Sequence, residues 1–75
     1  MASDRTELHV VPRSGHWHVE RGEERIATSD TKEKAVQLAR EAAKREQPSQ
    51  VVVHGEDGEV QDEFTYQDDP FPPRG

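Results

Sequence analysis

The side chains of this 75-residue chain best suited to chemistry are its four histidines, His9, His16, His18 and His54. His16 and His18 are two residues apart in an alternating segment, so a strand would project both to the same side. Both could then reach one metal ion, with His9 or His54 as a third ligand if the strands bring it close, because zinc sites use three or four protein ligands. Surface strand histidines without a metal are the favoured interpretation. We therefore assign no metal ligand and no cofactor, and keep a histidine metal site as the weaker alternative.

Catalytic chemistry finds little support in the rest of the sequence. The carboxylates are abundant but dispersed, and neighbours such as Glu23 and Glu24 cannot flank a substrate as a general acid and a general base do. The glycine-containing segment 55–58 carries acids that would repel a phosphate. We predict no catalytic residue and a protein that is not an enzyme.

Composition limits the classes of partner. Sixteen Asp and Glu residues against ten Lys and Arg residues give a net charge of −6, which disfavours binding to nucleic acid and to anionic membranes. The chain has no cysteine and no apolar run near the length of a membrane span, and its first residues lack a signal-peptide core. We therefore expect a cytoplasmic protein. The acid-rich, lysine-poor composition would also suit the interior of a halophile.

Five strand-like segments and one helix must position the histidines. Segments 8–11, 16–20, 25–28, 50–54 and 60–66 are apolar or alternating, and turn-forming residues follow most of them. Pro12 is expected to stop the first strand. Residues 31–46 place their apolar side chains on one arc of about 160°, which predicts an amphipathic helix with Asp30 or Thr31 as its N-cap. The apolar residues of this arc are Ala35, Val36, Leu38, Ala39, Ala42 and Ala43.

The order β-β-β-α-β-β predicts a single α+β domain over residues 8–66. We expect a mixed, mostly antiparallel sheet in the strand order 3-2-1-4-5, with the one helix packed on one face. Residues 1–7 are predicted to be a disordered N-terminus. Residues 67–75, which contain three prolines, are predicted to be an extended tail.

One helix covers only one face of such a sheet. If Trp17 and Val19 point towards the helix, the neighbouring histidines point to the other face, which should also carry apolar side chains. We predict that this uncovered face is an interaction face formed by His9, Val11, His16, His18 and His54. The protein would then be a non-enzymatic binding module that self-associates as a homodimer or binds an unidentified protein partner. The alternative without a function is that this face is simply solvated and partly covered by the proline-rich tail.

A second functional alternative uses the exposed side of the helix. Arg40, Lys44 and Arg45 could contact a nucleic acid there, although Glu33 and Glu41 interrupt the positive charge. A helix surface of mixed sign is usually only solvated, so nucleic-acid binding is disfavoured relative to self-association.

Several short motifs match a known family. They are His9-Val10-Val11-Pro12-Arg13, then Gly15 with Trp17 and Val19, Thr31-Lys32 before an alanine-rich helix with Ala39-Arg40-Glu41, Val53-His54-Gly55 with Asp57-Gly58, and Tyr66 with Asp69-Pro70 and Pro72-Pro73. With these motifs, residues 8–75 resemble the small prokaryotic proteins catalogued as domain of unknown function 2188. The resemblance implies a stand-alone α+β domain and implies no activity.

Overall fold

A computed structural model of the chain describes residues 5–67. The elements are β1 (Thr6–Arg13), β2 (His16–Arg21), β3 (Glu24–Ser29), α1 (Lys32–Arg45), β4 (Ser49–His54) and β5 (Val60–Tyr66). The strands form one sheet in the order β3-β2-β1-β4-β5. The predicted α+β class, element order and strand order are confirmed. The first four residues and most of the predicted tail, residues 68–75, lie outside the described residues.

The sheet is antiparallel except at one pair of strands. β1 pairs in parallel with β4, with His9 opposite Val52, and in antiparallel with β2, with Val11 opposite His18. Helix α1 supplies the long connection that a parallel pair needs. Since residues directly opposite one another share a face of the sheet, this register decides which histidines can meet.

A small apolar core lies between α1 and the sheet. Leu8, Val10, Val19, Val51 and Val53 contribute from three strands, and Ala35, Ala39 and Ala43 contribute from the helix, all with at most 1% of their surface exposed. The three alanines follow one another at four-residue spacing, which aligns them along one side of the helix. Their small side chains let α1 lie close to the sheet. Among the described residues, no helix combines the length and apolarity needed to cross a membrane.

The buried stripe of α1 is narrower than the sequence predicts. Leu38 keeps 38% of its surface exposed, whereas Ala39 beside it is fully buried. At 3.6 residues per turn, Leu38 lies about 100° around the helix from Ala39, at the edge of the predicted arc. Contact through the alanine stripe therefore leaves this leucine beside the sheet rather than beneath the helix.

The N-cap of α1 is Thr31, the second of the two predicted candidates. Its Oγ1 accepts a hydrogen bond from the backbone N–H of Lys34 at 3.2 Å. The buried Ser29 hydroxyl accepts the backbone N–H of Thr31 at 3.2 Å and so holds the cap residue against the end of β3. Asp30, the other candidate, keeps its side chain 90% exposed.

The C-terminal end of α1 is tied to two strands. The hydroxyl of buried Ser49 donates to the carbonyl of Ala43 at 2.5 Å. Arg21 of β2 donates to Glu46 at 2.6 Å and to Glu24 at 3.4 Å. These hydrogen bonds, the one to Glu46 above all, raise the pKa of Arg21 above its ordinary value. Through these contacts Arg21 anchors the end of the helix to the sheet.

The first strand is longer at both ends than predicted. β1 begins at Thr6, inside the segment 1–7 predicted to be disordered, because the N–H of Thr6 donates to the carbonyl of Pro48 at 3.0 Å. It also continues through Pro12, which pairs with Trp17 and does not stop the strand. The pairing of β1 with β4 ends with the pair Val10–Val53. Pro12, which lacks an N–H group, therefore costs the sheet no hydrogen bond to β4.

Candidate interaction face

All five residues of the predicted interaction face lie on the side of the sheet opposite α1. Strand alternation places them there, because Val10, Val19 and Val53 point into the core. We call this side the outer face and define it by alternating residues of the three central strands. These residues are Glu7, His9, Val11 and Arg13 of β1, His16, His18 and Glu20 of β2, and Gln50, Val52 and His54 of β4.

Two of the predicted residues, His9 and His54, are in direct contact. The Nδ1 atom of His9 lies 2.8 Å from the Nε2 atom of His54. The ring centroids are 5.1 Å apart and the planes differ by 22°. The nitrogen–nitrogen distance is shorter than the separation of stacked rings, so the two rings meet through their nitrogen-bearing edges. One imidazole proton between these atoms makes a hydrogen bond.

The outer nitrogens of this histidine pair face two acceptors. Nε2 of His9 lies 3.1 Å from a carboxylate oxygen of Glu7, and Nδ1 of His54 lies 3.5 Å from the carbonyl oxygen of Gly58. A carboxylate oxygen accepts, so we assign Nε2 of His9 as the donor to Glu7. Nδ1 of His9 then accepts a hydrogen bond from Nε2 of His54. In this tautomer Nδ1 of His54 does not donate to the Gly58 carbonyl, which lies at the 3.5 Å limit of a hydrogen bond.

The valines of the outer face are shielded by their polar neighbours. Val11 and Val52 are only 9% and 7% exposed although they lie on the side of the sheet opposite α1. His18 pairs with Val11, and His9 pairs with Val52. The expected mixture of apolar and histidine residues is therefore present, but the surface offered to solvent is mainly imidazole, carboxylate and guanidinium.

Charged groups of both signs converge near Glu20. One carboxylate oxygen of Glu20 lies 3.8 Å from Nε of Arg13 and 4.0 Å from Nδ1 of His18. His16 lies at the end of the strand instead, 3.6 Å from Asp30 and 3.3 Å from the carbonyl oxygen of Ser14. His16 is thus the most peripheral of the predicted residues.

The histidines that meet are not the pair singled out by spacing. Sequence reasoning paired His16 with His18, whereas the histidine–histidine contact found among residues 5–67 is His9 with His54. Within that described range, no group of three or more His, Asp or Glu side chains could hold a metal ion. The parallel pairing of β1 with β4 brings His9 and His54 together. Strand alternation predicts only the face on which each histidine lies, and it does not predict this contact.

The basic residues of α1 are divided between different contacts. Arg40 donates from Nε to the hydroxyl of Tyr66 at 2.7 Å, and its guanidinium lies 4.6 Å from the centre of the Phe64 ring. Arg40 therefore covers the aromatic residues of β5. Lys44 lines a shallow groove that it shares with Glu41, and Arg45 is exposed in the last turn.

A family match covers nearly all of the described domain. The sequence profile of the family described as "Uncharacterized protein conserved in bacteria (DUF2188)" matches residues 8–66. No curated protein and no solved structure matches the chain.

Proposed function

The chain belongs to this family of uncharacterised bacterial proteins, as its motifs predict, and we propose that it is a small, non-enzymatic module that self-associates through the outer face. One observation carries the proposal. Within residues 5–67 the sheet has a helix on one side only, and its other side presents a layer of partly exposed ionisable groups, including the His9–His54 contact of 2.8 Å. Mutual contacts hold these side chains in place before any partner arrives, which lowers the entropy cost of association.

A second copy of the chain suits this surface because the surface is complementary to itself. In a two-fold dimer the same patch meets its own copy, so the patch must contain both halves of each contact. The outer face carries Glu7 and Glu20 as acids, and Arg13 together with the histidines as bases. A copy rotated by 180° can set acid against base. The chain as a whole has a net charge of −6, so two copies repel each other. The repulsion is weaker at the outer face than at purely acidic parts of the surface, because the outer face carries both signs of charge.

The shape of the outer face supports binding rather than catalysis. A broad sheet surface offers contact area, whereas an enzyme usually encloses its substrate in a concave site. The depression beside the histidine pair is lined by Val11, Arg13, His54 and Glu56, on strands and the β4–β5 turn. The ionisable residues of this depression belong to the surface that would contact a second copy, so they do not indicate a separate substrate site.

Matched charge reversals test the proposal. Arg13, whose side chain is 54% exposed, lies on the outer face, and Arg13→Glu would set a negative charge beside Glu20. We expect this variant to weaken self-association at least about tenfold. Arg45→Glu makes the same change of net charge on the helix and should leave the dimer unchanged. Sedimentation equilibrium over a concentration series measures both.

Two outcomes would refute self-association through this face. One is a monomeric mass at every concentration up to the high micromolar range. The other is an equal loss of association in Arg13→Glu and Arg45→Glu, which would indicate a general charge effect.

The nucleic-acid alternative has less support, because Arg40 is already held by Tyr66 and Phe64. It makes a distinct prediction with the same variants. Anisotropy of a labelled duplex, titrated at low salt where electrostatic binding is strongest, would show binding that Arg45→Glu weakens and Arg13→Glu does not. That result would favour the helix surface over the outer face.

A further inference from the structure

The histidine pair of the outer face has the features of one half of a metal site. We propose that Nδ1 of His9 and Nε2 of His54 ligate a transition-metal ion of the zinc class, and that a second copy of the chain supplies the same two ligands. The ion would lie on the two-fold axis of the dimer, bound by four imidazoles. The inference rests on the proposed self-association and identifies what joins the two copies.

The surroundings of His9 resemble those of a metal-binding histidine. Histidine ligands generally donate their other ring N–H to a carboxylate or a carbonyl, which fixes the tautomer and makes the ligating nitrogen more basic. Glu7 occupies that position, 3.1 Å from Nε2 of His9. Nδ1 of His9 therefore keeps a lone pair that can bind an ion.

His54 can become a ligand without releasing a proton from the pair. In the metal-free chain its proton lies on Nε2 and is donated to His9. When Nε2 binds the ion, this proton moves to Nδ1, where the carbonyl of Gly58 lies 3.5 Å away and can accept it. The turn holds this acceptor in place, since the N–H of Gly58 donates to the carbonyl of Gly55 at 2.9 Å.

The distance between the ligating atoms is close to what an ion requires. Zinc–nitrogen bonds of about 2.0–2.1 Å in a tetrahedral arrangement separate two ligating nitrogens by about 3.3 Å. The observed separation is 2.8 Å, so the pair must open by about half an ångström. The side chain of His9 is 33% exposed, so the rings can turn towards solvent, where an ion bound to both nitrogens would lie.

The part of the chain that the structure describes does not complete the site in one copy. Structural zinc sites use four ligands, and residues 5–67 contain no third ligand close enough to the pair. Glu20, opposite His9 on β2, lies near Arg13 and His18. If a two-fold axis passes beside the pair, the second copy adds its own two imidazoles, and the ion has four ligands. Imidazole ligands select zinc, nickel, cobalt or copper over magnesium or calcium, and the cation offsets the repulsion between two chains of net charge −6.

The test uses the full chain, first stripped of metal with a chelator. Zinc chloride is titrated by calorimetry while light scattering follows the mass. We expect one zinc ion per two chains and a lower dissociation constant of the dimer, which a chelator raises again. Cobalt(II) should bind with the intense visible absorption of tetrahedral coordination.

Single substitutions assign the ligands. His9→Gln and His54→Gln should each abolish binding at this stoichiometry. Glu7→Ala keeps both ligands and removes the carboxylate, so it should weaken zinc binding about 10- to 100-fold. Glu41→Gln, a matched loss of one acid on the exposed helix surface, should leave zinc binding unchanged. Circular dichroism checks that each variant is folded.

The outcomes separate this inference from the proposed function. A dimer that forms without metal and does not bind zinc overturns the inference and leaves self-association intact. A monomer that binds one zinc ion overturns the shared site. A monomer that binds no zinc overturns both proposals.

Nitrogen NMR of the histidine rings decides the assignment if a glutamine variant fails to fold. Zinc must then shift Nδ1 of His9 and Nε2 of His54 in the unaltered chain. Shifts confined to His16 and His18 would overturn the inference.

Discussion

Changing the size of two neighbouring residues of α1 tests how the helix lies on the sheet. Ala39 is fully buried in the middle of the alanine stripe, whereas Leu38 is 38% exposed. Ala39→Leu adds three carbons where the helix approaches the strands, and overpacking of this kind costs about 1–3 kcal/mol. At about 0.05–0.15 kcal/mol per residue, the whole domain has only about 4–11 kcal/mol of stability. One added side chain would therefore remove a large part of it.

Leu38→Ala makes the opposite change at the next position. It removes three carbons that are about six-tenths buried, and at about 0.8 kcal/mol per buried methylene the loss is about 1.5 kcal/mol. A fully buried leucine loses about 2.7–5.0 kcal/mol when it becomes alanine, because a cavity remains. The exposed edge of Leu38 lets solvent fill the space, so we expect the smaller value.

Urea denaturation of the two variants and the unaltered chain measures both free energies. The slope of the transition must stay constant for the comparison to hold. A reversed result would refute the reasoning: Leu38→Ala costing as much as a core leucine, with Ala39→Leu neutral or stabilising. The helix would then contact the sheet through Leu38, and the alanine stripe would not be the contact line.

Three further substitutions test the ends of α1 by thermal unfolding, in which 1 kcal/mol corresponds to about 4–8 °C. Thr31→Ala removes the cap of the Lys34 N–H and should cost about 1 kcal/mol of stability. Asp30→Ala is the matched control and should change the stability by no more than about 0.5 kcal/mol. A larger loss in the control than in Thr31→Ala would show that the cap is wrongly assigned. Ser49→Ala removes the hydroxyl that donates to Ala43 and should also cost about 1 kcal/mol. An unchanged melting temperature in Ser49→Ala would contradict a stabilising role for that hydrogen bond.

Local patterns in the sequence are sufficient to predict which segments form strands or a helix, and in what order. The alternation of apolar and polar residues around Trp17 and Val19 reflects only the two-residue period of a strand. The apolar arc of residues 31–46 likewise depends only on the period of a helix. Because each pattern is set by neighbours along the chain, the α+β class follows without knowledge of any distant contact. The predicted strand order agrees with the structure, but it also required the assumption of a right-handed crossover that lays β4 beside β1.

Tertiary packing decides which residue of each pattern is buried and which side chains meet. Leu38 and Ala39 both belong to the predicted arc, and only the close contact of α1 with the sheet separates them. His9 and His54 are 45 positions apart in the chain and meet through the parallel register of β1 and β4. Such a register is set by the packing of the whole core, to which many residues contribute weakly. For this reason, the sequence alone determines that histidines line one face, and only the folded sheet decides which two are in contact.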